Sequence, residues 1–294
     1  MTAEDTPKGF ALGLTAYLLW GFLPLYMKAV AHIPAAEIIA HRVLWSIPVA
    51  AAVLIWLGRT GDLKTALRSP RTVAMAALTA ALISVNWGIY VWAIASGHAL
   101  EAALGYYINP LFSVFLGAVL LGERLRPLQW IAIALAGAAV LVLTIENGTI
   151  PYASLSLTVT WGFYAYFKKS LPVGPNQGFL LEILLLAPAA LAYVVWLEAT
   201  GAGHFLAGHA PDMWLILGLG LVTAGPLMIY GNAAKLLRLS TIGIMQYIAP
   251  TMILLLAVFL FGEPFGTARA IAFPMIWAAL ALYTWSMVRA RRAA

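Results

Sequence analysis

Backbone N–H and C=O groups find no water inside a bilayer, so a chain dominated by long apolar runs folds there as helices or a closed barrel. This chain carries ten such runs, near residues 10–30, 35–57, 72–96, 99–122, 128–146, 150–168, 177–199, 212–236, 240–262 and 268–288. Each is continuous rather than alternating, which argues against a transmembrane barrel and matches about 20 residues per helical crossing. Only 10% of the residues are charged, against roughly 25% in a soluble domain, too few to cover a water-facing surface. The runs break at residues that stop helices: His32 and Pro34, Gly58-Arg59, Gly97-His98, Gly122-Glu123, Asn147-Gly148, Pro172 to Pro175, and Gly262-Glu263-Pro264. The first run reads as a retained span rather than a cleaved leader, because Glu4 and Asp5 precede it and Lys28 closes it. The expected fold class is all-α, with ten transmembrane helices.

Charge placement orients these spans. With both termini inside, Lys8, Arg59, Lys64, Arg68, Arg71, Arg124, Arg126, Lys168, Lys169, Lys235, Arg238, Arg289, Arg291 and Arg292 all fall on the inner face. Only Lys28 and Arg269 fall outside, and Arg42 lies within the second span. The positive-inside rule therefore predicts cytoplasmic termini in a bacterial-type inner membrane. The net charge of +6 is a matter of topology rather than nucleic-acid binding, and no nucleic-acid partner is expected.

The chain also repeats itself. Residues 86–125 align without gaps to 226–265 at an offset of 140, matching Tyr90 with Tyr230, Tyr107 with Tyr247, Pro110 with Pro250 and Gly122-Glu123 with Gly262-Glu263. Upstream, an offset of 141 places Trp20-Gly21-Phe22 on Trp161-Gly162-Phe163. The expected division is 1–147 and 148–294, five spans each. An odd repeat sits upside down relative to its partner, giving two inverted halves with a site near the midplane, as in many secondary transporters.

The two-by-five repeat, the Trp-Gly helix opening each half, and a fourth helix carrying Pro110 or Pro250 and ending in Gly-Glu resemble the EamA branch of the drug/metabolite transporter superfamily. AEIIAHRVLWS (36–46), NWGIYVWAI (86–94) and ALGYYINPL (103–111) resemble its RarD-like group more narrowly. The resemblance covers nearly the whole chain and implies a ten-helix carrier that exports amino acids or related small metabolites. The second half departs from the first at Ala249, which stands where Asn109 does.

Candidate site residues are those that hydrocarbon does not tolerate unpartnered. Pro24, Pro110 and Pro250 near midspan each remove an N–H and free the carbonyl four residues back, so they are hinge or cavity candidates. Trp20 and Trp161 lie at midspan, although Trp usually gathers at the interfaces. Tyr164 follows Trp161 by one turn, Asn86 and Tyr90 share a helix face, and Asn232 follows Tyr230. Tyr106, Asn109, Gln246 and Tyr247 flank the two symmetric prolines. Together they suggest an aromatic-walled cavity with a few polar anchors for a small, partly apolar ligand. Intramembrane His41 and Arg42 join the list by default. Arg42 either holds a substrate carboxylate, snorkels outward or pairs with Glu37.

No phosphate-binding loop or zinc-protease motif occurs, and the five histidines show no ligand spacing. No cofactor, metal, catalytic activity or obligatory protein partner is expected. The expected partners are a small-molecule substrate and the lipid bilayer. The reading is a secondary transporter of small amphipathic metabolites, hydrophobic or aromatic amino acids first. Its rivals are a sugar-phosphate or nucleotide-sugar carrier, which needs several cations at its site, and a lipid-modifying enzyme using Glu37, His41 and Arg42.

Overall fold

The computed structural model describes residues 6–121, 125–206, 210–233, 236–237, 241 and 245–292. Among these the chain is helical: α1 (Pro7–Ala29), α2 (Ala35–Trp56), a short α3 (Thr60–Leu67), α4 (Pro70–Ala95), α5 (Ala99–Leu121), α6 (Pro127–Asn147), α7 (Tyr152–Lys169), α8 (Pro175–Ala199), α9 (Ala210–Ala233), α10 (Ile248–Leu255, prolonged by a π turn Leu256–Leu260) and α11 (Gly266–Arg292). Helix starts follow local chemistry. Thr6 caps α1 by accepting from the Gly9 N–H at 3.0 Å, and Ser69 caps α4 by accepting from Thr72 N–H at 3.3 Å. Pro7, Pro70, Pro127 and Pro175 occupy first-turn positions, where a missing N–H costs nothing. At the breaks, Gly148 and Gly262 turn the chain with φ of 67° and 68°, a region costly for other residues.

Eight of these helices are long and apolar enough to cross a membrane. The protein is an all-α membrane protein. The expected sixth run appears as the 18-residue α7, which falls short of those eight in apolar character, and the ninth as the helix Ile248–Leu260. The exterior is apolar: Phe259 is 81% and Ile145 79% exposed, a surface for lipid rather than water. Exposed Trp56, Trp130, Tyr152, Trp196, Trp214 and Trp285 sit near helix ends, where aromatic belts meet the interface.

The closest packing crosses the boundary between residues 147 and 148: α6 with α11, α2 with α8 and α9, α5 with α7, α1 with α9, and α4 with α7. The contacts also recur under the sequence offset. Gly21 of α1 faces Met252 of α10, and the matching Gly162 of α7 faces Phe112 of α5. Gly13 faces Met245, and the matching pair is Ser154 against Gly105. Small residues let helices approach closely where lipid supplies no hydrophobic drive. At the α5–α7 seam Ser154 donates to the Glu101 carbonyl at 2.7 Å and Thr158 to that of Gly105 at 3.0 Å. Glu263, beyond α10, caps α5 by accepting from the Ala99 and Leu100 N–H groups at 2.6 and 2.9 Å. Its counterpart Glu123 lies outside the described residues.

Pro24 and Pro110 lie inside continuous α1 and α5, whereas Pro250 follows a turn at Gln246 and Tyr247 that separates α10 from Met245. α10 begins at Ile248 with Tyr247 as its cap, which puts Pro250 in the first turn. There the ring fits without breaking a hydrogen bond of α10, so its setting differs from that of Pro110 inside α5.

A methyl group at Gly220 of α9 would overlap the main-chain carbonyl of Trp45 in α2, while one at Gly137 of α6 would meet nothing. Gly220→Ala is therefore expected to lower the thermal midpoint of the detergent-solubilised protein, by the equivalent of about 1–3 kcal/mol. Gly137→Ala should leave it unchanged or raise it. Equal midpoints for the two variants would contradict the α2–α9 approach.

Candidate functional site

A cavity of about 150 Å³ lies among α1, α2, α4, α5, α7, α9 and α10. Nine of the thirteen expected binding residues line it: Trp20, Arg42, Asn86, Tyr90, Tyr106, Asn109, Trp161, Tyr230 and Gln246, with Pro250 beside them. The aromatic side chains are packed on one another. Ring centroids of Tyr17, Trp20 and Tyr230 lie 5.4–5.9 Å apart, and those of Tyr90 and Tyr106 lie 5.8 Å apart.

Arg42 is 3% exposed. Its Nε donates to Thr223 Oγ1 at 3.0 Å, and its guanidinium stands 4.7 Å from the centre of the Trp87 ring. Its Nη1 is buried without a partner. The pairing with Glu37 does not occur. Glu37 instead accepts from the His204 N–H at 2.7 Å and holds the His204 ring at 2.8 Å. Three other buried polar atoms without partners also belong to cavity residues: Asn86 Oδ1, Tyr90 OH and Asn109 Oδ1. The orientation of the Asn86 amide is fixed, because its Nδ2 donates to the Leu157 carbonyl at 3.1 Å and to Thr160 Oγ1 at 2.8 Å. Buried polar groups are ordinarily paired, so this concentration of orphans marks the cavity's polar end.

Four expected residues lie elsewhere. His41, one residue before Arg42, points about 100° away around the helix, accepts from Trp45 Nε1 at 3.2 Å and packs on Phe205. Asn232, two residues after Tyr230, faces roughly the opposite side and donates back to the Met228 carbonyl at 2.8 Å. Tyr247 stacks on Tyr107, centroids 6.3 Å apart. Tyr164 packs on Trp161 but donates to Glu182 Oε2 at 3.3 Å. Glu182 is 1% exposed and also binds Lys168 Nζ and Thr79 Oγ1, each at 2.6 Å. This network holds α4, α7 and α8 together.

Sequence reasoning missed Tyr17, Leu23, Trp87, Val222, Thr223, Leu227, Ala249 and Ile253. Helical spacing held a usable signal for several. Tyr17 precedes Trp20 by one turn, and Thr223, Leu227 and Tyr230 form an i, i+4, i+7 stripe. Trp87 and Leu227 are matched by the repeat offset.

A bundle of apolar helices around a largely apolar cavity with a few polar groups is the architecture of a membrane transporter, and relatives of the chain agree. The EamA-like transporter family matches residues 7–145. An uncharacterized transporter of Pseudomonas aeruginosa is 41% identical over 292 residues, covering 99% of this chain and 98% of that one. The chain belongs to the EamA-like transporter family. Within it the chain is RarD-like: protein RarD of Escherichia coli K12 is 38% identical over 99% of both chains, and protein RarD of Streptomyces exfoliatus is 42% identical over 99% of this chain and 93% of that one. A solved crystal structure 24% identical in sequence shares the fold, with a TM-score of 0.58 over 96% of this chain and 98% of that chain.

Glu182 and Arg42 should respond oppositely to neutralisation. Glu182→Gln strands Lys168 and is expected to cost about 1–3 kcal/mol. Arg42→Gln removes a buried cation that no carboxylate balances, and should leave stability unchanged or higher, as at sites kept for function rather than stability. Thermal unfolding in detergent checks both. A large loss in Arg42→Gln would make Arg42 a structural residue.

Proposed function

We propose that the chain is a ten-span secondary transporter of the bacterial inner membrane that moves small amphipathic metabolites, hydrophobic and aromatic amino acids first. Both termini lie in the cytoplasm, and the two five-span halves, 1–147 and 148–294, are inverted copies that give alternating access to the cavity. Transport is outward, a direction that rests on the family resemblance. One observation carries the mechanism: five pairs of repeat-matched residues line the same cavity, namely Trp20 and Trp161, Trp87 and Leu227, Tyr90 and Tyr230, Tyr106 and Gln246, and Asn109 and Ala249. Residues matched across an inverted repeat meet only around its pseudo-two-fold axis, and the stacked Tyr107 and Tyr247 are such a pair.

Loop contacts support the topology. His32 meets Asp212, Glu37 meets His204, and Glu263 meets Ala99, all residues that the ten-span count puts on the outer face. Asp62 meets Gln177, and Thr6 meets Leu236, on the inner face. Tyr90 is 3% exposed while Tyr230 is half-buried, an inequality that alternating access requires. The rival readings fit less well. Arg42 alone supplies a cation to the described cavity lining, whereas a phosphate carrier wants several. Glu37 is engaged by His204 and lies 4.0 Å from His41, whereas Arg42 turns to Thr223, which takes the arginine out of the cluster a lipid-modifying enzyme would use.

Counterflow tests the reading. Proteoliposomes preloaded with unlabelled phenylalanine or leucine should accumulate the labelled amino acid against its gradient. Trp161→Ala and Tyr106→Ala should change the order of preference among side chains, with affinity changes of about tenfold. Cysteines placed by Lys64→Cys and Ala290→Cys should be labelled only from the cytoplasm, and Leu206→Cys only from the periplasm. Cytoplasmic labelling at position 206 would overturn the ten-span count.

A further inference from the structure

The polar end of the cavity is unevenly divided between the halves. Arg42, Asn86 and Asn109 all belong to the first repeat, and the offset matches them to Ile183, Pro226 and Ala249 in the second. Tyr90 completes the group. Symmetry therefore shapes the cavity without requiring these polar residues, and the bonds that Asn86 and Arg42 make to Leu157, Thr160 and Thr223 leave Asn86 Oδ1 and Arg42 Nη1 unused.

Their unsatisfied atoms form a specific chemical set. Arg42 offers a cationic donor, Nη1, with no carboxylate to receive it. Asn86 and Asn109 offer amide oxygens, Oδ1, without a donor, and in Asn86 the bond from Nδ2 to the Leu157 carbonyl excludes the flipped orientation. A lone carboxylate would satisfy the arginine and leave both amide oxygens stranded. A lone amine would satisfy the oxygens and leave the guanidinium uncompensated. Resting on the transporter reading above, we infer that the first repeat reads both ends of a zwitterionic head group: Arg42 takes the carboxylate, and Asn109 with Asn86 takes the adjacent ammonium. Apart from Thr223 and Gln246, the remaining lining is hydrocarbon and aromatic, including the Tyr17, Trp20 and Tyr230 cluster, and receives the apolar body of the substrate. Because amide oxygens rather than a carboxylate hold the ammonium, the empty site keeps one positive charge, and an amine without a carboxylate meets only repulsion from Arg42.

Four compounds of one shape separate the terms: phenylalanine, 3-phenylpropionate lacking the ammonium, phenethylamine lacking the carboxylate, and N-acetylphenylalanine with the ammonium neutralised. They are used as competitors of labelled phenylalanine counterflow by the wild-type protein in proteoliposomes. Each analogue should compete at least about tenfold more weakly than phenylalanine, since a charge-assisted hydrogen bond is lost in each. Asn109→Ala installs the residue the second repeat already carries, and should narrow the gap between phenylalanine and 3-phenylpropionate while leaving that with phenethylamine. Arg42→Gln should do the reverse, and Arg42→Lys should restore part of the preference for a carboxylate. If 3-phenylpropionate competes as well as phenylalanine in the wild type, the zwitterion assignment is wrong and the transporter reading survives. Absence of counterflow for every aromatic solute defeats the amino-acid reading itself, and this inference with it.

Discussion

A polar group in hydrocarbon must find its partner within the protein, and the rest of the structure follows from that requirement. It forces the main chain into helices and draws hydroxyls onto neighbouring carbonyls, as Ser154 and Thr158 do on α5. It also turns Glu182 inward to Lys168 and Thr79, and Glu263 onto the exposed N–H groups that open α5. These bonds cross from one half of the chain to the other or join three helices, so they hold the bundle where lipid offers no hydrophobic drive. Against that rule, the unpaired atoms of Arg42, Asn86, Tyr90 and Asn109 stand out because they gather around one cavity.

The repeat supplies a second constraint. Glycines at matched positions set the approach of α1 to α10 and of α7 to α5, so the two halves share a scaffold. The chemistry inside it is not shared: the offset matches an arginine and two asparagines of the first half with isoleucine, proline and alanine of the second. In the proposed transport cycle a symmetric frame would let either end of the cavity open by equivalent movements. Under the proposed recognition, Arg42 and the two asparagines of the first half hold the substrate's head, and aromatic residues of both halves, Trp20 and Tyr230 among them, contact its body.

Much of this was legible in the sequence. Apolar runs located the helices, and the breaking glycines and prolines located their ends within a few residues. The repeat register picked out the paired aromatic residues because Tyr, Trp and Pro are rare enough to align meaningfully. Depth along a helix was readable; rotation about it was read less well. His41 and Arg42 lie at the same depth, yet one packs on Phe205 and the other lines the cavity. Tyr164 was drawn away by Glu182, a partner 18 residues on in the next helix. Pro250 looked equivalent to Pro110 until the start of α10 at Ile248 put it in a first turn. Such pairings depend on which face a neighbouring helix presents, and a periodic apolar pattern contains little of that information.

The central claim is that repeat-matched residues line one cavity that opens to the two sides in alternation. Single cysteines placed by Tyr90→Cys and Tyr230→Cys, treated with a membrane-impermeant maleimide from each side of oriented vesicles, test it directly. The account predicts that position 90 reacts only from the periplasm and position 230 only from the cytoplasm, with any condition that raises one rate lowering the other. Reaction of both positions from the same side, or rates that rise and fall together, would contradict it.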